Sequence, residues 1–175
     1  NEERRTLEAD AVEQAFLQVD PNTTAILVDH DQWHEGVIGI VAGRLKEKYH
    51  KPTAVITWTQ EGIGKASARS IPGFDFGSFI RKAHHLGYVL GGGGHAMAAG
   101  FSLTKDQLPL LKKYLDEEMQ RLNNQLDLRP ILLCDGYLSL RALTLDFMEE
   151  LKVLGPFGMG NPTPKFVFTE VMVES

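Results

Sequence analysis

Apolar residues recur at helical spacing over residues 2–19, with Leu7, Ala11, Ala15 and Val19 on one side, and Asp20-Pro21-Asn22 ends the repeat. Residues 24–28 form a short apolar, partly β-branched run that reads as a buried strand, followed by a polar loop over 29–35. Residues 37–49 return to helical spacing: Val37, Ile38, Val41, Leu45 and Tyr49 fall on one face, and Arg44, Lys46 and Lys48 on the other. After Lys51-Pro52, residues 53–58 predict a second strand. A strand, a helix and a strand joined by short connections predict a parallel pair with a right-handed crossover.

A turn over 59–64 leads to a third strand at 65–70, the hairpin partner of the second. Ile71-Pro72-Gly73 breaks the chain, and residues 75–86 predict a helix with Phe76, Phe79, Ile80 and Ala83 inward. A glycine-rich loop then leads to a strand over 99–103. Thr104 is placed to cap a helix running to about 123, with Leu108, Leu111, Leu115 and Met119 on one face. The fold class expected is therefore α/β, a mixed sheet flanked by helices. Beyond Asn123-Asn124-Gln125 the pattern changes to a strand-like stretch over 131–140, a helix over 144–154, a Gly/Pro loop over 155–164 and an alternating strand over 165–173. These elements are too few to close a core, so they read as the opening part of a small β domain whose last strand would present an open edge. The chain lacks an initiator Met and opens inside a helix, and it reads as a piece of a longer protein.

Composition narrows the class. The chain is 43% hydrophobic and 23% charged, ordinary for a soluble globular protein, and no apolar run reaches the ~18 residues of a membrane span. Its one cysteine, Cys134, excludes an internal disulfide or a cysteine zinc site and fits a reducing, cytoplasmic compartment. The net charge of −5 argues against nucleic acid until its distribution is read. Residues 1–35 hold two basic and nine acidic side chains, whereas residues 44–105 hold nine Lys or Arg against three acids. A local basic zone of this kind is the footprint of a polyanion site.

Two motifs lie in that zone. Residues 91–100, Gly-Gly-Gly-Gly-His-Ala-Met-Ala-Ala-Gly, offer a backbone without side chains followed by His95. As a turn, such a run aims successive N–H groups at an anion, and His95 adds a donor at its edge. In Lys65-Ala66-Ser67-Ala68-Arg69-Ser70 the alternation of a strand puts Lys65, Ser67 and Arg69 on one face at ~7 Å intervals. An ammonium, a hydroxyl and a guanidinium so arranged make a phosphate clamp. By contrast, the residues of Asp29-His30-Asp31-Gln32-Trp33-His34-Glu35 are read as capping and solvated groups rather than a metal site, because no second element supplies further ligands. His84-His85 suits a helix C-terminus, and Trp33 and Phe74 are placed in packing rather than base stacking. From the residues alone, the chain is an α/β domain that binds a phosphorylated ligand.

Four segments in order, residues 33–42, 67–75, 92–100 and 155–162, resemble the C-terminal half of the RecJ single-stranded-DNA exonucleases of the DHH phosphoesterase superfamily. The resemblance covers nearly the whole chain. It implies that residues 1–20 end a linker helix from an upstream catalytic domain, that 21–125 form the DHH-associated substrate-binding domain, and that 126–175 begin an OB-type domain. The activity implied is metal-dependent 5′→3′ hydrolysis of single-stranded DNA in repair and recombination. Mn2+ or Mg2+ would be held upstream by an Asp-His-His motif that this chain lacks, so no metal ligand is expected here and the chain alone is expected to be inactive. Ser67 and Arg69 match the binders of the DNA 5′ phosphate. Gly92, Gly93, Gly94 and His95 match the element that closes over substrate, with His95 an auxiliary to catalysis, and Lys65 and His34 are further DNA-binding candidates. The implied partners are single-stranded DNA and single-strand-binding protein, with no membrane. Two alternatives stay open: a phosphoesterase acting on oligonucleotides or cyclic dinucleotides, and a non-catalytic nucleic-acid-binding module similar to the domain appended to alanyl-tRNA synthetases.

Overall fold

Five strands form one mixed sheet in the order β1-β2-β3-β5-β4: β1 Ile26–His30, β2 Thr53–Trp58, β3 Ile63–Arg69, β4 Gly91–His95 and β5 Ala98–Thr104. The structure, a computed structural model, describes residues 2–123, 131–169 and 171–172. β1 and β2 are parallel and every other pairing is antiparallel, so the helix between β1 and β2 makes the expected crossover. Every residue of β2 is buried because helices cover both of its faces. Ala54, Ile56 and Trp58 face one layer and Val55 the other.

One layer consists of α1 (Glu2–Gln18) and α2 (Glu35–Tyr49), with Ala11 and Ala15 packed against Val37, Ile38, Val41 and Leu45. Leu7, expected on the inner side of α1, is 48% exposed. The Gln18 amide both donates to the Asp29 carbonyl at 3.1 Å and accepts from the Asp29 N–H, and so occupies the free edge of β1. β1 begins and ends two residues later than its apolar run suggests. Asp29 and His30 are therefore strand residues rather than loop. The Asp29 carboxylate accepts the indole N–H of Trp58 at 2.7 Å, a charge-assisted bond between neighbouring strands.

The other layer is α3 (Phe76–His85) and α4 (Gln107–Asn123). Phe76, Phe79, Ile80 and Ala83 of α3 and Leu111, Leu115 and Met119 of α4 are buried against Ala66, Ala68, Phe101 and Leu103 of the sheet. Phe74, Phe76 and Phe79 meet one another at ring centroid separations of 5.1 to 5.9 Å, two of the contacts edge-on, a geometry that adds about 0.5–1.5 kcal/mol per pair beyond area burial. Thr104 ends β5 rather than capping by its hydroxyl. Its N–H donates to the Gln107 side chain at 2.9 Å, so the glutamine carries the helix entry.

The glycine run departs from expectation. Residues 91–95 are not a loop but an edge strand paired with β5 across a tight turn at Ala96 and Met97. Gly92 and Gly94 have φ of 158° and 154°, and a Cβ there would stand 2.5 Å from the Phe101 Cβ and 2.3 Å from the Ala98 carbonyl oxygen. Backbone closeness within a hairpin, rather than an anion-binding turn, demands these two glycines. Helix α3 is pressed on the same hairpin: a Cβ on Gly77 would meet the Gly94 carbonyl oxygen at 2.6 Å.

The chain forms two compact units, Asn1–Arg129 and Pro130–Ser175. In the second unit β6 (Gly136–Tyr137) pairs in parallel with β7 (Phe166–Val167), both far shorter than the expected 131–140 and 165–173 strands, and residues 173–175 lie outside the described residues. Thr144 caps α5 (Leu145–Lys152) through a bond from the Phe147 N–H at 3.1 Å. The Asn161 side chain donates to the carbonyls of Leu154 and Pro156 at 2.9 and 3.0 Å, which closes the 155–162 loop on itself. No described residue of this unit is buried, as expected for elements that lack a full core.

Candidate functional site

The face of the sheet that carries α2 is only half covered. α2 packs over β2 and β3, whereas the same face of β5 and β4 lies open beyond it. The result is a trough of about 640 Å³ lined on one wall by Glu35, Gly36, Gly39 and Ile40 of α2 and on its floor by Lys65, Ser67, Arg69, Gly91, Gly92 and Ser102.

Register explains why these residues share it. Residues directly opposite one another in an antiparallel pair project to the same face. Arg69 opposes Ala98, Ser67 opposes Gly100 and Lys65 opposes Ser102; β4 continues these rows with His95, Gly93 and Gly91. Ala66 and Ala68 turn the other way into the core. The predicted alternation of Lys65, Ser67 and Arg69 on one face is the observed one.

Arg69 and Ser67 form a preassembled pair. Arg69 Nη1 donates to the Ser67 Oγ at 3.2 Å and to the Ala68 carbonyl at 2.9 Å. These bonds fix the guanidinium plane in the trough, leave Nη2 without a protein acceptor among the described residues, and leave the serine hydroxyl hydrogen free to donate. Two converging donors, one permanently charged, suit a terminal phosphate. The space is provided by Gly39, where a Cβ would stand 3.1 Å from Arg69 Nη2 and 3.2 Å from Ser67 Oγ. Gly39 is a trough residue that the sequence pattern alone does not single out. Its signal is a glycine inside a helix, which costs about 1 kcal/mol and so asks for a packing reason.

The remaining candidates are spread more widely. Gly92 lines the trough; Gly93, Gly94 and His95 continue along the edge strand past its lining, with His95 exposed. His34 is the N-cap of α2: its Nδ1 accepts the Gly36 N–H at 2.9 Å, so that ring nitrogen is occupied beside the trough and not inside it. Behind the edge strand, Asp75 caps α3, accepting from the Ser78 N–H at 2.9 Å and the Ser78 hydroxyl at 2.8 Å. Those two bonds, with the Arg81 charge as a minor contribution, hold its carboxyl below the usual value of 3.8. Arg81 donates to the Ser78 hydroxyl at 2.7 Å and reaches the Gly94 carbonyl at 3.5 Å. The Phe76 N–H donates to Ala96 at 3.0 Å and the Ser70 N–H to Met97 at 2.9 Å. The Ser70-to-Asp75 segment thus braces the hairpin that ends in His95.

The residues of the Asp29-to-Glu35 cluster point to several tasks. Asp29 binds Trp58, His30 Nδ1 accepts from the Gln32 N–H at 3.1 Å, and Asp31 pairs with Lys105 at 3.7 Å. Trp33 and Phe74 are buried, which fits packing and not base stacking. Among the described residues no three His, Cys, Asp or Glu side chains converge in a way that fits a metal ion.

Residues 20–121 match the DHHA1 domain and residues 134–175 the RecJ OB domain. The chain is 34% identical to the single-stranded-DNA-specific exonuclease RecJ of Dickeya dadantii (strain 3937) over 175 residues, 95% of this chain and 30% of that protein. It is 32% identical to the Bacillus subtilis (strain 168) RecJ over 178 residues, 99% of this chain and 22% of that protein. The crystal structure of RecJ from Thermus thermophilus in complex with Mn2+ superposes with a TM-score of 0.80 at 30% identity, over 95% of this chain and 24% of that one. The chain therefore spans less than a third of the RecJ proteins it matches. With more than half of its length in the one domain and the second following in order, this chain belongs to the DHHA1 domain family, in the RecJ form that continues into an OB domain.

Proposed function

We propose that this chain is the substrate-holding part of a RecJ-type exonuclease that degrades single-stranded DNA from its 5′ end, in repair and recombination, and that Ser67 and Arg69 hold the 5′ phosphate. The observation that carries the reading is the preassembled Arg69–Ser67 pair, set on a trough floor and cleared by Gly39. The Arg69 Nη2 and the Ser67 hydroxyl donate to phosphate oxygens, and a dianionic terminal phosphate gains more from a charged donor pair than an internal phosphodiester does. Hydrolysis in this reading requires Mn2+ or Mg2+, and the residues described here do not fit a metal. The part of this chain is to fix the strand end, which turns an encounter into an oriented approach. His95, at the tip of the braced hairpin, is assigned to the substrate side of the edge strand. The chain alone is then a binding module without turnover, acting in a soluble, cytoplasmic enzyme. Single-strand-binding protein is the second partner in this reading.

The test is binding of a labelled single-stranded oligonucleotide, with and without a 5′ phosphate, to this chain and its Arg69→Ala variant at low salt. Preference for the phosphorylated end, lost with a penalty of about 1–3 kcal/mol in the variant, is expected. Equal binding of both ends by the unaltered chain refutes the assignment. In a full-length enzyme, His95→Ala lowers turnover while thermal stability holds; unchanged turnover removes His95 from the site.

A further inference from the structure

We infer that the trough holds a second anion subsite, formed by Lys65 and Ser102, which takes a phosphodiester further along the strand whose end lies at Arg69; this rests on the reading of Arg69 and Ser67 as the terminal-phosphate clamp. Lys65 and Ser102 are direct cross-strand partners, and both line the trough. Neither side chain has a hydrogen-bond or ion-pair partner among the described residues. Three lysines outside the trough lining are ion-paired: Lys105 with Asp31, Lys113 with Glu117, and Lys152 with Glu149. Glu35 is the one acid in the lining, and it forms no ion pair with Lys65. The floor beside the pair is Gly91, where a Cβ would meet nothing within 4 Å, so the strand end of β4 leaves room for a bulky ligand to lie flat.

The two stations differ in chemistry as their ligands do. Arg69 with Ser67 presents a planar fork suited to two oxygens of a terminal phosphate. Lys65 with Ser102 presents a point charge and one hydroxyl, suited to the single charge of a phosphodiester. The clamp centres on Ser67, where Arg69 Nη1 lies 3.2 Å from the hydroxyl. Lys65 is two positions away on the same strand face, about 7 Å, so a second phosphate at Lys65 requires a ligand longer than a mononucleotide.

The experiment uses this chain with a 5′-phosphorylated mononucleotide and a length series of 5′-phosphorylated oligothymidylates, each measured over a range of salt. Affinity is expected to rise once the ligand reaches Lys65. Lys65→Gln and Ser102→Ala should each remove that rise while leaving mononucleotide affinity within about twofold, because a 5′-phosphorylated mononucleotide has no second phosphate to place at Lys65. The slope of log affinity against log salt for the longer ligands should fall in magnitude by about 0.7 in Lys65→Gln. Lys82→Gln, an exposed change on α3 and so on the opposite layer, should leave the whole series unaltered. Lys65→Gln weakening mononucleotide and long ligands by the same factor, or leaving the long ones untouched, overturns the subsite. If the unaltered chain ignores the 5′ phosphate, the clamp reading fails by itself; a Lys65-dependent gain with length on 5′-hydroxyl strands would still support a phosphodiester at Lys65.

Discussion

Gly39 of α2 faces Arg69 of β3 across a narrow gap: a Cβ on the glycine would lie 3.1 Å from Nη2 of the guanidinium, which would have to give by a few tenths of an ångström. The helix accepts a residue that weakens it, and the guanidinium keeps room for its bonds to Ser67 and Ala68. Gly39→Ala therefore has two expected effects of opposite sign. Helix propensity raises stability by up to about 1 kcal/mol, because the groups displaced are ends of flexible side chains. Affinity for a 5′-phosphorylated oligonucleotide falls by about 1 kcal/mol, roughly fivefold, because Arg69 and Ser67 must move. Thermal melts and binding isotherms on the same sample check both; a joint fall would make Gly39 an ordinary packing glycine.

The four consecutive glycines serve different purposes, and substitution separates them. Gly94→Ala drives a methyl into the Ala98 carbonyl at 2.3 Å with an unfavourable φ of 154°, so a loss of about 1–3 kcal/mol in stability is expected. Gly93→Ala enters open space, and its stability should stay within about 0.5 kcal/mol. Denaturant titration of the two variants gives the comparison. Equal destabilisation would mean that the β4–β5 pairing differs from the register found here.

Much of this architecture could be read from the residues. The inward faces of α2, α3 and α4, the parallel β1–β2 pair and the alternation along β3 follow from periodicities that burial enforces over whole elements. The glycine run resisted because its strand is held by backbone closeness to Phe101 and Ala99, contacts that no local pattern of apolar residues reports. The short β6 and β7 resisted for the opposite reason: their alternating residues promise longer strands, but none of the described residues around them is buried. Of the site, Ser67 and Arg69 were legible as a strand face. Gly39 and Ser102 required the register between elements distant in sequence.

Asp75 gives the hairpin brace a pH dependence. Its carboxyl titrates below 3.8 in the folded chain because the Ser78 N–H and hydroxyl bond the charged form. A depressed carboxyl contributes stability that is complete above its unfolded value and is lost as pH falls through the folded one. The contribution should therefore disappear only below about pH 4, and be intact at neutral pH. Ser78→Ala removes the hydroxyl bond and keeps the larger backbone one, so it should return the carboxyl part of the way toward its ordinary value and make the acid limb of the stability curve shallower. Carboxyl chemical shifts followed through an acid titration check the first point. An unmoved Asp75 would leave the depression to the Ser78 N–H and not to its hydroxyl.

Chelation separates the holding of the strand end from its hydrolysis. The proposed clamp consists of a guanidinium, a hydroxyl and space, none of which calls for a divalent ion. Asp29 is bonded to Trp58, Asp31 is paired with Lys105, and His30 is turned on the Gln32 N–H, so the cluster most like a metal site is committed to the fold. Binding of a 5′-phosphorylated strand by this chain should therefore be the same in excess EDTA as in millimolar Mn2+, once ionic strength is matched to remove ordinary screening. The melting temperature should likewise be unmoved by Mn2+, since an ion that binds the native state selectively must raise it by mass action. A rise of several degrees, abolished by Asp31→Asn, would place an ion at the 29–34 segment. Loss of end preference in EDTA would instead put a metal between the clamp and its phosphate, and Arg69 would become a neighbour of the ligand rather than its holder.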